Sequence, residues 1–179
     1  AITDQTTATA DITPKTLTIS GVTASNKVYD GTTTASLDTS SALMSGLIGG
    51  DAVTLTASGN FADKNAGVGK TVSMSGSIAG ADAGNYSATV SGSLTANITK
   101  KAVTVSGITA SDKTYDGTTA ATTNTGSVNL AGLIGGDTVT VSSSGNYTDK
   151  NVGTNKTVNL TNVFGGADAG NYSFTDQST

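Results

Sequence analysis

Two copies of one short motif carry the most distinctive polar side chains of this sequence. The motif is Lys-x-Tyr-Asp-Gly, and it comprises Lys27, Tyr29, Asp30 and Gly31 in the first copy and Lys113, Tyr115, Asp116 and Gly117 in the second. Asp-Gly favours a turn, because glycine adopts positive φ without steric cost. We interpret the motif as structural, with both tyrosines buried in a core. In the alternative interpretation, the lysine and the aspartate form an ion pair at a partner-binding edge.

Catalytic chemistry is poorly supported by the composition. The chain contains no His and no Cys, so most acid–base and thiol mechanisms cannot operate. Its acids are all Asp and its bases are all Lys. We therefore predict no catalytic residues and no enzymatic activity.

Calcium is the most plausible metal for such a chain, because Ca²⁺ prefers carboxylate and turn carbonyl oxygens. The candidate ligands lie in turn-rich segments: Asp51, Asp63, Asp137 and Asp149. No EF-hand loop is present, so we predict no cofactor and leave calcium open. An amide crosslink from Lys27 or Lys113 to an asparagine is also left open.

The motif recurs at a fixed offset, since Tyr115 minus Tyr29 is 86 positions, and much of the chain repeats in the same register. A fixed period without insertions indicates tandem modules. The first residues also match the last ones at twice this offset. We predict a closing strand of a preceding repeat at residues 1–12, a first repeat at 13–99 and a second repeat, C-terminally truncated, at 100–179.

Short alternating stretches rich in Thr and Val, separated by Gly, Asn and Asp, predict strands and turns throughout. The expected fold is all-β, with two tandem immunoglobulin-like β-sandwich repeats in an elongated arrangement. Asp82-x-Gly-x-Tyr86 and Asp168-x-Gly-x-Tyr172 have the form of a tyrosine corner, in which the hydroxyl bonds upstream backbone. The alternative is a plain loop before a strand, with a half-buried tyrosine. A turn at Ser91–Ser93 is expected to close a hairpin between the last two strands.

Charge excludes two classes of partner. The sequence pI is about 4.4, whereas nucleic acids and anionic membranes attract clustered Lys and Arg. No apolar run has the length of a membrane span. The expected partners are neighbouring repeats of the same chain. Because one end lacks a closing strand and the other carries an extra one, we also expect head-to-tail self-association of the chain.

The Lys-x-Tyr-Asp-Gly-Thr-Thr core, a Gly-Gly-Asp-x-Val-Thr step and an Ala-Gly-Asn-Tyr-Ser segment resemble the YDG repeat family. Such repeats occur in tandem in large bacterial surface exoproteins, including filamentous-haemagglutinin-like adhesins. The resemblance implies a secreted or cell-surface location and a structural stalk that projects an adhesive region from the cell. The alternative is a repeat that itself binds glycan, protein or other copies weakly and gains by avidity.

Overall fold

The computed structural model of the chain describes residues 7–177. Of the closing strand expected at residues 1–12, residues 1–6 lie outside this part. Residues 7–14 contain no strand, and all of them are exposed.

Strands form almost all of the regular structure in the first repeat. β1 shows the reason, because Leu17 is buried while Thr16 and Thr18 on the other face are exposed. The strands are β1 (Lys15–Ser20), β2 (Thr23–Ala24), β3 (Lys27–Val28), β4 (Thr34–Ala35), β5 (Leu37–Asp38), β6 (Leu43–Ser45), β7 (Thr54–Phe61), β8 (Gly67–Ala79), β9 (Tyr86–Ala88) and β10 (Ser91–Thr99). A 3-10 helix, Ala83–Asn85, precedes β9.

The second repeat copies this order, with differences in the counterparts of β3, β8 and β10. Its strands are β11 (Lys101–Ser106), β12 (Thr109–Ala110), β13 (Ala120–Ala121), β14 (Thr123–Asn124), β15 (Asn129–Ala131), β16 (Thr140–Tyr147), β17 (Val158–Gly165) and β18 (Tyr172–Thr175). A 3-10 helix, Ala169–Asn171, precedes β18. The predicted all-β fold is confirmed, and the immunoglobulin-like sandwich stays a prediction.

The sheets share one connectivity in both repeats. β1 lies between β6 (antiparallel) and β9 (parallel), just as β11 lies between β15 and β18. β7 pairs antiparallel with β8, and β16 with β17. The first repeat has a sheet of order β3-β10-β8-β7-β4.

The hairpin expected at Ser91–Ser93 is wrong. β9 pairs with β1, whereas β10 begins at Ser91 and lies between β3 and β8 in another sheet. The alternation of apolar residues continues from one strand to the next, and alternation alone does not distinguish a hairpin from a change of sheet.

The described chain forms two compact units that do not coincide with the sequence repeats. The first unit comprises the chain up to Ser25, Thr34–Ala62 and Thr71–Thr95. The second comprises Asn26–Thr33, Asp63–Lys70 and the chain from Ala96 onward. Two loops of the first repeat therefore belong to the same compact unit as the second repeat.

Each unit has its own buried side chains. In the first unit, Leu17, Val53 and Tyr86 form a core against which four partly buried apolar residues pack: Met44, Leu47, Ile78 and Ala88. In the second unit the most deeply buried side chains include Tyr29, Ile98, Val103, Val105 and Tyr172. Burying an aliphatic side chain such as Ile98 or Val103 contributes about 1.5–3 kcal/mol. Tyr29 belongs to the first repeat in sequence, but its side chain is part of the interior of the second unit.

Candidate functional site: the contacts of the repeated motif

The Lys-x-Tyr-Asp-Gly segment folds into the same tight loop in both repeats. Lys27 Nζ lies 2.8 Å from Asp30 Oδ1, which also accepts a hydrogen bond from the Thr32 N–H at 2.9 Å. Gly31 has φ of +79°, a conformation that favours glycine. In this loop the aspartate orders the turn and also forms an ion pair with Lys27.

The second copy repeats these bonds. Lys113 Nζ lies 2.8 Å from Asp116 Oδ1, the Thr118 N–H donates to the same oxygen, and Gly117 has φ of +80°. The hydrogen bond from Lys113, followed by those from Thr118, lowers the pKa of Asp116 to about 2.

Pairing with β10 fixes the direction of the Tyr29 side chain. β3 runs parallel to the end of β10, with Lys27 opposite Ile98, and the Tyr29 N–H donates to the Thr99 carbonyl at 2.8 Å. The Tyr29 side chain is 1% exposed. Its ring meets the ring of Tyr172 edge to face, with centroids 5.4 Å apart, a geometry that aromatic pairs prefer.

The Tyr29 hydroxyl reaches a carboxylate of the second repeat. We name this site the Asp137 cluster; its members are Tyr29, Lys64, Asp137, Asp168 and Tyr172. Tyr29 Oη donates to Asp137 Oδ2 at 2.8 Å, and Tyr172 Oη donates to the same oxygen at 2.5 Å. Lys64 Nζ lies 3.2 Å from Asp137 Oδ1 and 3.2 Å from Asp168 Oδ1.

The Asp137 side chain is only 6% exposed, so its ionised state depends on these donors. Burial alone would raise the pKa of Asp137, but the hydrogen bonds from Tyr172, Tyr29 and Lys64 lower it below its ordinary value. Burial, followed by the hydrogen bond to Asp137, raises the pKa of Tyr172 to about 12 and also raises the pKa of Tyr29. The pKa of Lys64 is raised by its hydrogen bonds to Tyr29, Asp137 and Asp168.

A second polar contact lies in the same unit. Asn171 is 4% exposed, and its side-chain oxygen accepts a hydrogen bond from the Ala66 N–H at 2.9 Å. Neither Lys64 nor Asn171 was among the site residues predicted from the sequence. Their counterparts Lys150 and Asn85 recur in register, which was the available signal.

The counterpart cluster in the first repeat has fewer members. Tyr86 Oη donates to Asp51 Oδ2 and accepts a hydrogen bond from the Ile48 N–H at 3.1 Å. Asp82 accepts from the Ala52 N–H at 2.8 Å. The tyrosine hydroxyl thus bonds upstream backbone, as the tyrosine-corner interpretation predicted, and its partner lies 38 positions earlier in both repeats.

The expectation that Tyr115 fills a core is wrong. Tyr115 is 57% exposed, whereas Tyr29 in the equivalent place is 1% exposed. The loops themselves are alike, so the difference comes from what surrounds them. Tyr29 is covered by Tyr172 of the following repeat, and the described residues place no such ring against Tyr115.

The four calcium candidates have protein donors as partners. Asp63 accepts from Lys70 and Asp149 from Lys156, while Asp51 and Asp137 accept from tyrosine hydroxyls. Over residues 7–177, no three acidic side chains group closely enough to hold a metal ion. No helix in this part of the chain is long and apolar enough to cross a membrane.

The described chain consists of repeated sheets without long helices. The Asp137 cluster uses residues of two successive repeats, and together these features define a tandem-repeat β protein. Comparison with protein families matches the YDG domain twice, over residues 13–94 and 99–179. The chain therefore belongs to the YDG domain family. No curated protein and no solved structure matches it.

The Asp137 cluster predicts a pH dependence with two limbs. The lowered pKa of Asp137 contributes stability above the unfolded value of 3.8, which is lost as the pH falls through the folded value. The raised pKa of Tyr172 contributes stability below 10.0, which is lost as the pH rises towards about 12. Urea unfolding followed by circular dichroism from pH 2 to pH 12 should therefore show a plateau that declines on both sides.

The decline in stability above pH 10 tests the role of Tyr172 most directly. Tyr172→Phe removes the titrating hydroxyl, so its stability should decline less steeply above pH 10 than that of the unsubstituted protein. A stability that rises above pH 10, or an alkaline slope unchanged in Tyr172→Phe, would contradict this assignment.

Proposed function

We propose that the chain is a structural stalk repeat of a large bacterial cell-surface adhesin, secreted and without catalytic activity, which projects an adhesive region from the cell. The observation that carries this proposal is the Asp137 cluster. In the first repeat, Tyr29 of the family's motif contacts Asp137 and Tyr172 of the next repeat. A stalk requires such attachments, because every junction carries the same load as the modules.

Three features of these contacts support a mechanical role. The Tyr29 contact buries an aromatic ring together with a hydroxyl–carboxylate hydrogen bond. Lys64 adds an ion pair to two carboxylates. Because the loops containing Tyr29 and Lys64 belong to the second compact unit, the second unit cannot unfold completely without releasing segments of the first repeat.

The proposal is tested by pulling single molecules of the chain from its two ends. We expect Asp137→Ala to lower the unfolding force of one unit. The matched variant Asp51→Ala, at the equivalent position of the first repeat, should lower it less, because fewer donors meet Asp51. Equal effects of the two substitutions would contradict a load-bearing junction.

The alternative, a repeat that binds ligands itself, is tested on glycan and extracellular-protein arrays with the same chain. A stalk should show no saturable binding. Saturable binding that is lost on substitution of an exposed residue such as Tyr115 would replace the stalk proposal with the binding-module alternative.

A further inference from the structure

The second repeat presents an open groove beside its Lys-x-Tyr-Asp-Gly loop. The groove encloses about 740 Å³, and two segments form most of its lining: residues 112–115 and 149–156. Tyr115 lies in its wall and is 57% exposed. Among the described residues, none forms a strand along this groove.

The equivalent strip of the first repeat shows what fits such a groove. There the end of β10 pairs with β3, and the hydrogen bonds that hold it include the following three. Tyr29 N–H donates to Thr99 O at 2.8 Å, Asn97 N–H to Asn26 Oδ1 at 2.7 Å, and Gly69 N–H to Asn97 Oδ1 at 2.7 Å. In the first repeat the equivalent strip therefore holds an extended strand, the end of β10, through backbone hydrogen bonds and the side chain of Asn97.

The backbone beside the groove has the same conformation as the equivalent backbone of the first repeat. Asn155 stands in the place of Gly69, and its φ of +52° is the one positive value at a non-glycine position in the described chain; Gly69 has φ of +62°. A left-handed conformation is costlier for asparagine than for glycine, yet it is retained. Its N–H is thus set to donate as the Gly69 N–H does.

The chain also carries a matching strand. Residues 8–13 read Ala-Thr-Ala-Asp-Ile-Thr, and residues 94–99 of β10 read Leu-Thr-Ala-Asn-Ile-Thr, at the 86-residue offset. Ile12 is 99% exposed, whereas its counterpart Ile98 is 2% exposed. Ile12 is thus available for contact with another surface, whereas Ile98 is already packed.

The acceptor residues that Tyr29, Lys64 and Ala66 contact in the second unit have counterparts in the first repeat. Asp51 is the counterpart of Asp137, Asp82 of Asp168, and Asn85 of Asn171. Asn85 is exposed where Asn171 is buried, and Val152, the counterpart of Ala66, is 87% exposed. Donor groups thus remain near the groove of the second repeat, and the acceptors that match them lie on the first repeat.

We propose that the groove is a strand-acceptor site for the first repeat of a second copy of this chain. Residues 8–13 of that copy pair in parallel with residues 112–115, with Ile12 opposite Lys113 and Thr13 opposite Thr114. The Tyr115 hydroxyl donates to Asp51 of the second copy, and the Lys150 ammonium pairs with its Asp51 and Asp82. The contact uses two different surfaces, so it is heterologous and builds open chains of copies.

Engineered cysteines test the register directly, because the chain has no Cys of its own. A Thr13→Cys protein mixed with a Thr114→Cys protein under mild oxidation should give a disulfide-linked heterodimer. The control replaces Thr114→Cys with Asn129→Cys on β15, which is exposed, belongs to another sheet and does not line the groove. Crosslinking of the control as fast as the test pair, or no crosslinking of the test pair, would overturn the proposal.

Sedimentation over a concentration series tests assembly of the unmodified chain. The average mass should rise with concentration, and both Ile12→Asp and Tyr115→Ala should shift this rise to at least tenfold higher concentration. Both residues are exposed, so the variants should remain folded, and Val163→Asp at another exposed site should assemble normally. A mass that stays monomeric, or assembly that persists in both variants, would overturn the proposal.

One substitution should strengthen assembly. The acceptor Asn26 of the first repeat is Asp112 in the groove, and Asn97 of β10 is Asp11 in the donor strand. Two carboxylates thus replace two amides and repel each other. Asp112→Asn restores the arrangement of the first repeat and should move assembly to lower concentration; weaker assembly would contradict the predicted pairing.

Discussion

Alanine in place of Tyr29 is expected to lower the free energy of unfolding by about 3–5 kcal/mol, the usual cost of truncating a buried aromatic side chain. The same substitution at Tyr115 should change it by no more than about 0.5 kcal/mol. The two tyrosines occupy equivalent places in identical turns, but one is 1% exposed and the other 57%. Urea unfolding monitored by circular dichroism, at concentrations where the chain is monomeric, measures both.

This pair of variants separates the loop from its surroundings. If the tyrosine mainly stabilised its own turn, the two alanine variants would lose similar free energies. Similar losses would therefore contradict the conclusion that Tyr29 acts by packing against the following repeat.

Replacement of Asp137 by alanine is expected to lower the free energy of unfolding by about 2–6 kcal/mol, because two partly buried tyrosine hydroxyls lose their acceptor at about 1–3 kcal/mol each. Lys64 also loses a partner, although its side chain is 39% exposed and surface pairs contribute little. The measurement is again urea unfolding, with thermal unfolding as an independent check.

The control for Asp137 is Asp51→Ala. Asp51 accepts from Tyr86 alone among the tyrosines of the described chain, so its loss should be clearly smaller than that of Asp137. A loss at Asp51 as large as at Asp137 would mean that Tyr29 adds nothing to the cluster.

Much of this fold could be predicted from the sequence. The 86-residue register and the alternating Thr- and Val-rich segments predicted two all-β repeats, and both the family match and the strands confirm them. The hairpin between β9 and β10 was wrong, because alternation reports which face a residue occupies and not which strand lies beside it.

The site was harder to predict for a physical reason. Tyr29 and Tyr115 lie in the same motif, but the environment of each depends on residues far along the chain. The Tyr29–Asp137 bond spans 108 positions and the Lys64–Asp137 bond spans 73. A repeat identifies which residues recur, whereas contacts between successive repeats appear only when both copies are folded together.

A double-mutant cycle between Tyr29→Phe and Asp137→Ala tests the central claim most directly, since it isolates the bond by which the motif of one repeat contacts the next. We predict a coupling free energy of about 0.5–3 kcal/mol for this pair. The equivalent cycle between Tyr115→Phe and Asp51→Ala, at concentrations where the chain is monomeric, should show none. Additive effects of Tyr29→Phe and Asp137→Ala would contradict the account.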